Sequence, residues 1–527
     1  MPSPINPTNL SASLQDSNYD SEKVAYLIQG FTTGFALGHY SLPINTEPVN
    51  SHNISGKERI VQEKILAEIK LGRMSGPYKK PPFIPFQISP VNIIQKKDTS
   101  KFRFLHNLSS PYNGDSINDH IMQSDKSVQY SSIGDAIKII LAHDIGAYLC
   151  KTDITDAFRL IPIRPQDYPK LGIKFNNLYY HDKVLPQGCG SSCKIFTEFS
   201  TALKHIHTSS SISNTCIHLL DDFLFINNSR KSNEQSLNKF QEICKFIGVP
   251  LSDRKTTQPN TTCTFLGIEL DTIEQCARLP KDKLSSYVSD IKSIMEKTFL
   301  TKREMQSIIG KLSFAASVVP ARPFLRRLIT SILGKSHPND LIYITPSIMK
   351  DLNAWLLFLS QFNGVSYFRA LGILDSRREN ICSDASHLGF GATFQNLWIQ
   401  AKYPIDWKKF HITFLELYPL LVLLNVFQDN LKNKSVLFHC DNIAVVHIIN
   451  NQSSRDGTIM GLFRRIVISL MKLNIHLRAQ HVPGIDNVLC DRISRFQDTP
   501  DLLLKYGMNL TGTRIPTHLM PLSYEPL

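Results

Sequence analysis

The stretch Ile217-His-Leu-Leu-Asp-Asp-Phe-Leu-Phe-Ile226 decides how this chain is read. Two short apolar runs, Ile217–Leu220 and Phe223–Ile226, flank a pair of acids, which is the pattern of a β-hairpin with carboxylates at its tip. Aspartate is a common turn residue, so the hairpin alone implies only a turn. A third acid changes the reading, because Asp153 ends an apolar strand in Lys151-Thr-Asp-Ile-Thr-Asp-Ala-Phe158. Two strands that end side by side with carboxylates can hold two Mg2+ ions roughly 3.5–4 Å apart, which activate an attacking hydroxyl and stabilise a leaving phosphate. Mg2+ takes few protein carboxylates and completes its shell with water and substrate phosphates, so the pair points to phosphoryl chemistry on nucleotides.

Outward from these strands, helical spacing predicts helices at Ser132–Ala142, Cys193–Ile206 and Asn233–Phe246, with further strands at Ala147–Thr152 and Lys174–Tyr180. Between them Leu185-Pro-Gln-Gly-Cys-Gly-Ser-Ser192 is a loop opening a helix, and its glycines let backbone approach a flat ligand closely. Upstream, Val91–Gln95 and Phe102–Leu105 read as a hairpin around the polar turn Lys96–Lys101. The mixture is an α+β or α/β domain ending near Leu270. Before it, a helix is expected between Gly56 and Gly72, followed by a proline-rich extended linker. Residues 1–20, rich in Ser, Asn and Pro, read as disordered, and Ser21–Leu42 as an irregular packed segment. Lys281–Leu333 reads as a small helical domain whose basic residues include Lys302, Arg303, Lys311, Arg322, Arg326 and Arg327. The tail after Gln497 reads as loosely folded.

A second α/β pattern begins near Asn380 and carries its own acids. Asp384 lies in the strand Ile381-Cys-Ser-Asp-Ala-Ser386, Glu416 in the first turns of an apolar helix, and Asp441 at the end of the strand Val436–Cys440. Asp491 follows His481-Val-Pro-Gly-Ile-Asp-Asn-Val-Leu-Cys490 on a helix. An acid opening a helix is ordinarily favourable to the helix dipole and nothing more, so these four matter only if the fold gathers them.

With 527 residues, at roughly 100–200 per domain, three or four domains are expected. Apolar residues make up 42% and charged residues 20%, which argues against a disordered, collagenous or coiled-coil chain. The formal charge of +13 would attract a polyanion such as nucleic acid or an anionic membrane surface, and charge alone does not choose between them. The longest mainly apolar run, Leu415–Phe427, is short of the ~20 residues of a membrane span, and Met1–Asp20 lacks a secretory core. A soluble protein of the cytoplasm or nucleus, neither secreted nor in a membrane, is therefore expected. Ten cysteines without a Cys-x-x-Cys pair read as reduced core thiols.

The segments around Asp153, Gln187 and Asp221-Asp222 resemble motifs A, B and C of reverse transcriptases. Ile94-Gln-Lys-Lys-Asp-Thr-Ser-Lys-Phe-Arg-Phe-Leu105 looks like that family's fingers hairpin. The resemblance implies that Asp153, Asp221 and Asp222 are metal ligands, that Ile154 offers a backbone carbonyl, and that Lys96 and Arg103 neutralise the triphosphate. It also implies that Gln187 and Gly188 lie beside the incoming nucleotide, that Phe158 is the aromatic gate against a ribose 2′-hydroxyl, and that Lys255 is a general acid toward pyrophosphate. Phe265-Leu-Gly267 resembles the primer grip. The family's usual Tyr-x-Asp-Asp is here Leu219-Leu-Asp-Asp222, a departure that keeps the carboxylates and leaves fidelity and nucleotide handling open.

The later acids resemble ribonuclease H, which implies that Asp384, Glu416, Asp441 and Asp491 bind metal and that His481 assists product release. The Gly30–Gly38, Gly76–Phe83, Leu108–Pro111 and Gly310–Ala315 segments resemble DIRS-like retrotransposon polymerases, with other long-terminal-repeat or pararetroviral enzymes as alternatives.

The implied architecture is an α/β and α+β multidomain chain, a right-hand polymerase followed by a ribonuclease H-like α/β domain. Its segments are a partly disordered extension (1–75), fingers and palm (76–270), helical thumb and connection (271–375), the nuclease domain (376–498) and a tail (499–527). The implied function is an RNA-directed DNA polymerase with ribonuclease H activity, using two Mg2+ or Mn2+ per site. Its partners would be an RNA template, a DNA primer, their RNA·DNA hybrid and dNTPs, besides element-encoded recombinase or coat proteins. A catalytically inactive nucleic-acid-binding scaffold, or an active nuclease with a dead polymerase, are the competing readings.

Overall fold

The computed structural model describes residues 1–39, 41, 44–95, 102–112, 115–211, 215–319, 321–361, 365–368, 373–375, 381–484 and 487–524. The chain divides into two compact units, Met1–Leu266 and Gly267–Leu527.

In the first unit the strand Asp222–Asn227 lies between Tyr148–Asp153 and Cys216–Leu219, antiparallel to both. Its apolar run Phe223–Ile226 is completely buried, as befits the middle strand of a covered sheet. The helix Arg230–Ile247 packs on that sheet through Leu237, Phe240, Cys244 and Ile247, which recur at helical spacing. Ser229 caps its start by accepting from Ser232 N, and Gly248 ends it at φ 95°. A Cβ on Gly248 would sit 2.2 Å from the carbonyl oxygen of Pro4, so glycine is required there for packing as well as for its backbone angle. The helix Ser192–Ser209 buries Ile195, Phe196, Phe199 and Leu203 on the same core. A second sheet, Met74–Tyr78, Leu178–Asp182 and Gly172–Phe175, accompanies the hairpin Val91–Gln95 and Phe102–His106. The turn of that hairpin, including Lys96, lies outside the described residues.

The amino-terminal segment corrects the expectation of disorder. Pro7–Asp16 is a helix with proline in its first turn, capped by Asn6, whose Oδ1 accepts from Thr8 N and Asn9 N. Ser21–Thr33 is a second helix, capped by Asp20, where an irregular segment was expected. Composition misled because Asn, Asp and Pro serve here as caps and first-turn residues. Leu10 and Leu14, then Leu27 and Phe31, stand four apart and fill the core beside Phe196 and Phe199. The segment 1–75 is thus an integral part of the first unit.

The second unit opens with an antiparallel sheet of Ile268–Asp271, Cys276–Arg278 and Val365–Tyr367. The helices Lys281–Met295, Lys302–Ala315, Arg326–Ser331 and Pro346–Gln361 follow the helical expectation. Thr301 and Glu304 form a capping box at the start of the second. Farther along, Cys382–Ala385, Gly389–Phe394 and Leu397–Lys402 form an antiparallel sheet. Ile373–Asp375, Ser435–Cys440 and His476–His481 form a parallel one.

The helix Ile412–Val426 is apolar almost all round and packs on Cys382–Ala385, Gly389–Phe394 and the helix Gly457–Lys472. The tail corrects the expectation of loose folding. Pro500–Lys505 is helical, and Leu503 and Met508 are buried with Trp398 and Ile493. The Trp398 indole donates to Asn509 O at 2.8 Å, and the Tyr524 ring packs on Trp407, Phe414 and Tyr418. Among the described residues no helix is long and apolar enough to cross a membrane.

Candidate active sites

In the first unit, strand pairing sets Asp153 directly opposite Asp222. Ile154 N donates to Asp221 O at 3.0 Å, tying the end of one strand to the tip of the hairpin. Leu220, at φ 52°, turns that tip in a left-handed conformation that a side chain seldom takes. The three carboxylates converge. Burial, reinforced by Asp153, pushes Asp221 up to about 6, and burial also raises Asp222 despite nearby Lys151. Both acids carry a desolvation cost that a cation would relieve. Lys255 Nζ lies 2.7 Å from Asp153 Oδ2, so it meets a carboxylate directly.

A cavity three residues along the chain from Asp153 is lined by Asp156, Arg159, Arg103, Gln187, Glu68 and Asp182, among others. The candidate nucleotide residues Arg103 and Gln187 thus share one pocket. Gly188, at φ 119°, packs so closely that a Cβ would lie 2.3 Å from His106 O. Phe158 is partly buried and meets Phe196 edge-on, with centroids 5.6 Å apart. Leu266 and Gly267, within the expected primer grip, both have left-handed backbone, and Gly267 O accepts from Lys283 Nζ at 2.9 Å. Lys96 lies outside the described residues, as does the turn that carries it.

In the second unit Asp384, Glu416, Asp441 and Asp491 also gather. Burial, with Asp441 and Asp491 adding to it, pushes Asp384 up to about 6, while Ser494 Oγ donates to its Oδ2 at 2.8 Å. Burial, with Asp441 and Asp384 adding, pushes Glu416 up to about 7. Glu416 Oε2 is buried and has no hydrogen-bond partner among the described residues. Ligand atoms of Glu416, Cys440 and Asp441 lie within 4.8 Å of one another. Asn487 Nδ2 donates to Ser383 O at 3.1 Å, which holds the helix Val488–Ser494 against the strand bearing Asp384. Asp491 accepts from Arg495 Nε at 2.8 Å. His481 is exposed, opposite Cys440 in strand register and one residue from the level of Asp441.

Both donor sets suit a hard divalent cation: clustered carboxylate oxygens, of which those of Asp221, Asp222, Asp384 and Glu416 are raised by burial, with Glu416 Oε2 an orphaned buried atom. Sequence reasoning missed several side chains that touch these sites. Ser494 and Arg495 were not singled out, and the Arg159–Glu68–Asp182 contacts join residues far apart in sequence; Cys440 is the buried core thiol expected, but its place beside Glu416 and Asp441 was not foreseen.

Residues 94–270 match the reverse transcriptase (RNA-dependent DNA polymerase) family. The matched segment spans Arg103, Asp153, Gln187, Asp221, Asp222 and Lys255. The Pro-Pol polyprotein of feline foamy virus is 25% identical over 224 residues, covering 42% of this chain and 18% of that protein. The enzymatic polyprotein of carnation etched ring virus is 21% identical over 329 residues, covering 59% and 46%. The chain therefore spans less than half the length of these relatives.

Among solved structures, the foamy viral protease-reverse transcriptase in complex with RNA/DNA hybrid aligns at a TM-score of 0.52 and 15% identity, over 90% of this chain and 62% of that one. The same viral protein's dRH form in complex with double-stranded DNA aligns at 0.51 and 15%, over 90% and 81%. The chain thus shares the mixed α/β multidomain fold of the foamy viral protein.

Proposed function

We propose that the chain is an RNA-directed DNA polymerase with a second, ribonuclease H centre, belonging to a DIRS-like retrotransposon. The observation that carries the polymerase half is the convergence of Asp153, Asp221 and Asp222 inside the segment that matches the reverse transcriptase family. Asp153, Asp221 and Asp222 would hold two Mg2+ or Mn2+ ions, as would Asp384, Glu416, Asp441 and Asp491. Such ions supply activation of the attacking oxygen and charge neutralisation at the phosphate.

The chain's own residues do the rest. Arg103 and Gln187 line the pocket that would receive a dNTP, and Phe158 limits the room beside the sugar. A primer 3′-hydroxyl attacks the α-phosphate and pyrophosphate leaves, with Lys255 positioned to swing from Asp153 toward the departing group. RNA template, DNA primer and their hybrid are the partners, which accords with the nucleic acids named for the foamy viral structures. In the second centre water replaces the primer hydroxyl, and His481 at the rim assists release of the cut strand. The retrotransposon affiliation rests on the segments Gly30–Gly38, Gly76–Phe83, Leu108–Pro111 and Gly310–Ala315.

Separation-of-function variants test the two-centre reading. Asp221→Asn is expected to abolish primer extension and spare release from labelled RNA·DNA hybrid, and Asp441→Asn to do the reverse. If either variant silences both activities in folded protein, or neither activity, the assignment of two independent centres is wrong.

A further inference from the structure

We propose that Arg159 is a positioning residue of the nucleotide pocket, whose ion pairs with Glu68 and Asp182 fix the turn carrying Phe158 against the strand carrying Arg103. This rests on the reading of Asp153, Asp221 and Asp222 as a polymerase centre. Arg159 Nε and Nη2 both donate to Glu68 Oε2, at 3.0 and 2.7 Å, and Nη2 also donates to Asp182 Oδ1 at 2.7 Å. The side chain is 13% exposed, and Asp182 only 1%. One guanidinium therefore bridges two carboxylates from separate elements, the helix Glu58–Lys70 and the strand Leu178–Asp182. The three-donor fork matters, because a lysine ammonium is a point charge that cannot reproduce that planar geometry.

The contacts continue beyond Asp182. Its Oδ2 lies 3.4 Å from His106 Nδ1, and His106 Nε2 lies 3.1 Å from Gly172 O. His106 ends the strand that bears Arg103, and its carbonyl oxygen is the atom against which Gly188 packs. On the other side of Arg159, Arg73 Nη1 lies 3.1 Å from Asp156 Oδ2 and holds Asp156 at φ 53°. A linked set of contacts thus runs from the helix Glu58–Lys70 through Arg159 and Asp182 to His106 and Gly188, around the cavity that Arg103 and Gln187 line.

Two consequences follow from electrostatics and geometry. Without the guanidinium, Glu68 and Asp182 would present two uncompensated carboxylates to a pocket meant for a polyanionic triphosphate. The turn holding Phe158 would also lose its tie, loosening the limit on the sugar.

The test is dNTP binding to the full chain on a dideoxy-terminated primer–template, which reads nucleotide affinity without turnover, alongside extension and the deoxy-to-ribo preference on an extendable primer. Arg159→Met is expected to weaken binding of the next dNTP on the order of tenfold and to lower the deoxy-to-ribo preference, with primer–template affinity unchanged. Arg159→Lys should fall between it and the wild type. Glu68→Gln, at a partly exposed position that leaves the guanidinium and Asp182 in place, guards against a folding defect; it removes a negative charge and so should not weaken dNTP binding, but by loosening the turn it should lower the deoxy-to-ribo preference. The proposal is overturned if folded variants bind dNTP and discriminate as the wild type does, or if dNTP and primer–template affinity fall in equal proportion. Should the wild type extend primers while the variants match it, this inference alone fails. A wild type that forms no dNTP-dependent complex removes the polymerase reading and the inference with it.

Discussion

Phe158 is argued on steric grounds. Its ring meets Phe196 edge-on and is partly buried, so its position is set by core packing, one residue before Arg159 of the pocket lining. Shortening it frees space for a 2′-hydroxyl. Phe158→Ala is expected to raise ribonucleotide incorporation relative to deoxynucleotide on the order of 10- to 100-fold, measured by competing rNTP and dNTP in single-nucleotide extension; an unchanged ratio would remove the gate role. Asp153 and Asp222 stood out in the sequence because acids end two separate apolar runs, although either alone would be an ordinary turn residue. Arg159 did not, since its partner Glu68 lies 91 positions away and only the folded chain brings them together. Cys440 is the buried, free thiol that was expected, but its place beside two acids was not legible. Its closeness to Glu416 joins a strand and a helix that only the folded chain brings together.

Among the elements, the amino-terminal helices carry the sharpest stability prediction. Leu14 is fully buried on the helix Pro7–Asp16 and belongs to the core that supports Tyr148–Asp153 and Asp222–Asn227. Leu14→Ala is expected to cost about 2–5 kcal/mol in denaturant unfolding of the first unit, whereas a dispensable extension would show no shift in midpoint. The helix was hidden from a compositional reading because its caps are the residues that usually mark disorder. The strand His476–His481 was hidden too, its sequence His-Leu-Arg-Ala-Gln-His being polar with only Ala479 buried. By contrast, the hairpin Cys216–Leu219 and Asp222–Asn227 was plain, because its apolar runs are interrupted only at the turn. The long helices were equally plain, and Arg230–Ile247 begins within a few residues of the expected start.

Across the whole molecule, the two acid clusters give a common dependence on pH. Asp221 and Asp384 are raised to about 6 and Glu416 to about 7, with burial the largest cause of each. A carboxyl whose pKa in the fold exceeds that in the unfolded chain costs stability once ionised, so these groups withdraw stability as pH rises from about 4 to about 7. A divalent cation held by these acids would take the ionised form and offset that loss. The rise in melting temperature caused by millimolar Mg2+ is therefore expected to be larger at about pH 8 than at about pH 5.5, and the difference should shrink in Asp221→Asn. An equal rise at both pH values would mean that the cation binds elsewhere.

The most direct measurement of the central claim is primer extension on poly(rA)·oligo(dT) by the purified chain with Mg2+ or Mn2+, beside Asp153→Asn. The account predicts a ladder of DNA products that requires the divalent ion and vanishes in the variant. Extension that survives Asp153→Asn, or a folded wild-type chain that makes no product with either ion, would contradict it.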